Sequence, residues 1–72
     1  MKSLTARQII SILESNNFQV ARQRGSHIIY RHMKTGQIVP VPLHGGNKPL
    51  PIGTFLAIVK QSCINQQDFR QK

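Results

Sequence analysis

The run Val39-Pro40-Val41-Pro42 constrains the fold more than any other stretch of the chain. Its β-branched residues favour an extended strand. Proline has no N–H to give to a ladder, so a strand that carries it belongs at a sheet edge. Residues two apart send their backbone N–H groups to the same side. Pro40 and Pro42 therefore blunt one edge, while Val39 and Val41 leave the other free to pair. The blunted edge also discourages addition of a foreign strand.

The segments before it supply the partners. Gln37 to Leu43 reads as the third strand of a meander. Ser26 to Met33, with Ile28, Ile29 and Tyr30, reads as the central strand, joined to it by a turn at Lys34-Thr35-Gly36. Phe18 to Gln23 alternates apolar and polar residues and reads as the first strand, ending at an Arg24-Gly25 turn. Thr5 to Asn16 has Ala6, Ile9, Ile10 and Leu13 at helical spacing, with Thr5 as N-cap, Asn16-Asn17 as the stop and Ile12 at the edge of the stripe. A loop, His44 to Leu50, leads to a second helix from Pro51 or Ile52 to Ser62, with Thr54 as a rival N-cap. Its expected buried face is Ile52, Phe55, Leu56, Val59 and Cys63. Asn65 caps a last helical turn, Gln66 to Arg70, with Asp68 near its start. The order α-β-β-β-α predicts an α+β domain spanning 1–72. A three-stranded antiparallel sheet with two helices on one face is the arrangement of a double-stranded-RNA-binding-like domain.

Charge narrows the partners. Ten Lys and Arg face two acids, Glu14 and Asp68, for a net charge of +8 on 72 residues. Cations left unpaired on so small a domain favour a polyanion: nucleic acid first, a membrane surface second. The longest apolar run, Phe55 to Val59, is too short to span a membrane, and Met1 to Thr5 lacks the apolar core of a signal peptide. One cysteine, Cys63, fits a reducing cytoplasm and reads as a small core residue. A chain this short buries only about 60% of its unfolded surface, which excludes a large enzyme with a deep cofactor cleft.

Four cations, Arg22, Arg24, Arg31 and Lys34, and no acid lie between Arg22 and Lys34, with His27 and His32 among them. Such a run is either a solvated sheet face or a phosphate-contacting one. RNA carries its own nucleophile, the 2′-hydroxyl. Cleavage needs a base, an acid and cations around the phosphorane, and histidine can serve as base or acid at neutral pH. No metal or other cofactor is expected: the two carboxylates are far apart in sequence, and no zinc-ligand spacing is present. Two hairpin registers are open. A three-residue loop sets His27 opposite Leu43; a two-residue loop sets it opposite His44. Both put His27 and His44 at one end of the hairpin, which makes His44 a candidate second acid or base. His32, five residues from His27, falls on the other face and reads as a surface residue. In the first register the outer face would carry Ile28, Tyr30, Ile38, Pro40 and Pro42. That means either a different register or a patch covered by a partner.

Four segments give the chain a resemblance to the HicA toxins of bacterial and archaeal toxin–antitoxin pairs. They are Lys2-Ser3-Leu4-Thr5-Ala6-Arg7, Arg22-Gln23-Arg24-Gly25-Ser26-His27, Val41-Pro42-Leu43-His44, and Gly53-Thr54 followed by Ile58-Val59-Lys60-Gln61. The resemblance implies a double-stranded-RNA-binding-like fold and metal-independent, sequence-relaxed cleavage of mRNA, with His27 of the Gly-Ser-His turn as the catalytic residue. It also implies an antitoxin partner of the HicB type that shields that histidine. Ile28 stands where relatives often carry a polar residue, and the loop Gly45 to Pro49 with Pro51 looks more rigid than usual. The leading expectation is a ribonuclease toxin. His27 moves protons, Arg22, Arg24 and Lys48 hold phosphates, Gly25 admits the RNA backbone, and Ser26 orients His27 or the phosphate. The alternatives are a non-catalytic RNA-binding module and a small protein whose basic face binds an acidic partner.

Overall fold

The computed structural model describes residues 2–43 and 47–70. The elements run α1 (Ala6–Ser15), β1 (Phe18–Arg24), β2 (His27–His32), β3 (Ile38–Pro42), α2 (Ile52–Ser62) and a 3-10 turn, Gln66–Phe69. The strands form one antiparallel sheet in the order β1-β2-β3. This is the expected α+β arrangement, with β2 central and the proline strand at the edge.

Helix α1 begins with a capping box. The Thr5 hydroxyl accepts from the Gln8 N–H, and the Gln8 side chain accepts from the Thr5 N–H. Such a cap satisfies donors that the first turn leaves without partners, and it contributes ~1 kcal/mol. Ala6, Ile9 and Leu13 are buried, and Ile10 and Ile12 pack at the margin. Asn17, at φ 68, turns the chain into β1. Backbone bonds tie the N-terminal segment to the loop before α2: the Leu50 N–H donates to the Leu4 carbonyl, and Thr5 bridges to Pro49.

The hairpin register is neither of the two anticipated. His27 lies opposite Pro42, Ile28 opposite Val41 and Tyr30 opposite Val39. The connection is the four residues 33–36. The His32 N–H donates to the Gln37 carbonyl at 2.9 Å, and the Gly36 N–H to the His32 carbonyl at 3.0 Å. This register turns Ile28 and Tyr30 inward, so of the expected apolar outer patch Ile38, Pro40 and Pro42 keep their place on that face, joined by Ile29. A slip of one residue moves every side chain to the other face, so burial of Tyr30, Val39 and Val41 fixes the pairing.

The core is Leu4, Ala6, Ile9, Leu13, Phe18, Tyr30, Val39, Val41, Leu50, Phe55, Ile58, Val59 and Phe69. Both helices contribute to it from one side of the sheet. Phe69 meets Phe55 edge to face, with ring centroids 6.0 Å apart. Helix α2 is rotated from the expected face: Phe55, Ile58, Val59 and Ser62 are buried, whereas Ile52, Leu56 and Cys63 are exposed. Thr54 lies inside the helix, which starts at Ile52 after Pro51. Cys63 is not a core residue. It ends α2 in a left-handed conformation, φ 59.

Candidate nucleic-acid interface

The site is built by a phase change in β1. Phe18 faces the core, and regular alternation would send Val20, Arg22 and Arg24 to the same side. A bulge between Val20 and Arg22 breaks the alternation. Val20 still lies opposite Tyr30, but Arg22 lies opposite Ile29 and Arg24 opposite His27. One extra residue thus transfers both arginines to the outer face. Three cross-strand rows result there: Gln19-Arg31-Ile38, Arg22-Ile29-Pro40 and Arg24-His27-Pro42. Neighbours within a row have Cβ atoms about 4.5–5.5 Å apart.

Arg24 and His27 close a hairpin whose two loop residues are Gly25 and Ser26. Gly25 has φ +57, a value side-chain-bearing residues rarely adopt, and a Cβ there would meet nothing within 4 Å. The glycine therefore serves the turn, and it leaves the space outside the turn open. The ladder continues past β3, where the Leu43 N–H donates to the Ser26 carbonyl at 2.7 Å. Arg31 joins the same face, with its guanidinium over Gly36. Neither acid is present on it: Glu14 lies in α1 and Asp68 in the 3-10 turn.

The structure therefore brings His27, Arg22, Arg24, Gly25 and Ser26 together at one end of the outer face. Lys48 is not in these rows. It lies exposed in the loop beside Pro49, near the start of α1. His44 lies outside the described residues. His32 is on the inner side, as its spacing from His27 requires, but it is half-buried rather than a surface residue. Its ring meets Phe18 edge to face at 5.0 Å, and its Nδ1 accepts from the Lys34 and Thr35 N–H groups at 3.1 and 3.2 Å. It organises the turn. Among the described residues no cluster of three or more His, Cys, Asp or Glu side chains is placed to hold a metal ion.

Sequence reasoning did not single out Arg31 for this site, although strand alternation from His27 through Ile29 reaches it. It also missed a groove of about 400 Å³ beside His27, lined by Pro40 and Pro42 of β3 and by Gly53, Thr54, Ala57, Ile58 and Gln61 of α2. Only the pairing of β3 with its neighbours brings these segments together.

An open basic face around one histidine, on an α-β-β-β-α scaffold, is a surface suited to a phosphate-bearing chain. The chain belongs to the HicA toxin family of bacterial toxin–antitoxin systems, whose family model matches residues 6–64. Membership makes it a toxin component and implies a cognate antitoxin as its partner. No curated protein matches the chain. No helix of the described residues is long and apolar enough to cross a membrane.

Proposed function

We propose that this toxin is a metal-independent endoribonuclease that cuts mRNA in the cytoplasm and so halts translation. The observation that carries the reading is the row Arg24-His27-Pro42, with Arg22 and Arg31 on the same face. His27 acts on a proton of the transesterification. The 2′-oxygen loses its proton to a base and attacks phosphorus. The bond to the 5′-oxygen breaks, and an acid protonates that oxygen. The products are a 2′,3′-cyclic phosphate and a 5′-hydroxyl, with no change in redox state. Arg22 and Arg24 stabilise the charged phosphorane, and their fork geometry matches phosphate oxygens. Gly25 keeps the approach open, and Ser26 orients His27 or the phosphate. Lys48 holds RNA farther along, and His44 is the candidate for the second proton. The HicB-type antitoxin covers His27.

The test is cleavage of a long, partly single-stranded RNA in EDTA by the parent and by His27→Ala. General acid–base catalysis contributes about 10²–10⁴-fold, and a loss of that order is expected with folding unchanged. Undiminished cleavage by the variant would remove His27 from the mechanism. Binding without cutting by both proteins would make the chain an RNA-binding module.

A further inference from the structure

We infer that the groove between β3 and α2 is a nucleobase subsite that favours bases bearing an exocyclic amine over uracil. The inference rests on the reading of the outer face as an RNA site. The groove adjoins His27 and continues the row Arg24-His27-Pro42. Strands lie about 4.8 Å apart, so Arg24 and Pro42 flank His27 at one spacing each. A phosphate held at Arg24 and His27 thus leaves its attached nucleoside within reach of the groove.

The walls suit a base. Pro40 and Pro42 offer flat apolar rings. On α2, Thr54, Ala57, Ile58 and Gln61 recur at helical spacing on the flank of the helix next to its buried face. Gly53 and Ala57 are the small residues of this wall, and a Cβ on Gly53 would meet nothing within 4 Å. Thr54 and Gln61 supply polar groups beside these small residues.

The preference follows from the backbone. Val39 and Val41 lie opposite Tyr30 and Ile28, in the phase set by the Leu43-to-Ser26 and His32-to-Gln37 hydrogen bonds, and they point their N–H groups at β2. Pro40 and Pro42 point the other way and have carbonyls but no N–H. Where Pro40 and Pro42 line the groove, this edge of the strand offers acceptors without donors. Adenine, cytosine and guanine each carry an exocyclic amine to donate. Uracil has none; its one base-pairing donor, N3–H, lies between two carbonyls, so presenting it to the strand sets those carbonyls against the strand's own.

The test titrates ¹⁵N-labelled protein with AMP, CMP, GMP and UMP, reading the Gln61 side-chain amide, the Ala57 amide and the Arg24 signals. AMP, CMP and GMP are expected to move Gln61 and Ala57, and to bind at least fivefold tighter than UMP. Ala57→Leu, which fills the groove, and Gln61→Ala, which leaves packing intact, should each erase that difference while inorganic phosphate still moves Arg24. Equal responses to all four nucleotides, shifts confined to the arginine rows, or an unchanged preference in both variants would overturn the subsite. Because these readouts are binding, they stand apart from nuclease activity. Loss of the nuclease reading would appear instead as a parent that cuts no RNA.

Discussion

Tyr30 shows how one side chain serves both the core and the pH response. It is buried opposite Val20 and Val39, and burial, with the negative charge of Glu14, raises its phenol above the usual value of 10.0. The folded state therefore keeps a proton that the unfolded chain gives up. Tyr30 contributes this stability fully below about pH 10 and loses it as the pH rises through the raised folded value. Urea unfolding at a series of alkaline pH values should show stability falling above pH 10, and Tyr30→Phe should flatten that fall. An unchanged slope in the variant would place the alkaline response elsewhere. At this scale much was legible: Thr5 as a cap and Ala6, Ile9 and Leu13 as one apolar stripe follow from spacing alone. Cys63 did not, because a thiol at the end of a helix is set by how the chain leaves that helix. Phe69 gave no periodic signal; it reaches the core through a turn that brings it against Phe55.

Between elements, the register decides what the outer face carries. Its sense and strand order could be read from Pro40 and Pro42, but the pairing depends on a four-residue turn. That turn is organised by the Nδ1 of His32, a contact no local pattern announces. The bulge in β1 was equally hidden: Arg22 and Arg24 were identified as site residues, yet only the extra residue explains how they share a face with His27. The proline edge makes its own prediction. The double change Pro40→Val and Pro42→Val restores two outward N–H groups and creates a continuous pairing edge. Concentration-dependent association by light scattering is expected in the double variant and not in the parent. A variant that stays monomeric would show that α2, rather than the prolines, guards the edge.

The molecule as a whole is a slab, 29 × 28 × 18 Å, with helices on one side of the sheet and the arginine rows on the other. Its charge of +8 attracts a polyanion from any direction, and the function proposed above assigns the close contact to the outer face. For single strands each neutralised phosphate steepens the salt dependence of log K by about 0.7. Arg22→Ala, Arg24→Ala and Arg31→Ala, each in a His27→Ala background, should therefore each reduce the slope by about that amount. Lys60→Ala, on the flank of α2 with Leu56 and Cys63, should not. Filter binding across a range of salt checks this, and an equal loss for Lys60 would move the RNA track off the sheet. The proline edge has one more consequence, for how this protein is watched. In β3 the amides of Val39 and Val41 are tied up with β2, two positions have no amide, and only Ile38 turns one outward. Deuterium uptake from Val39 to Pro42 will report protection whether or not anything rests on that part of the rim. A molecule docked there leaves its trace on carbonyl carbons, where an acceptor records the donor it has met.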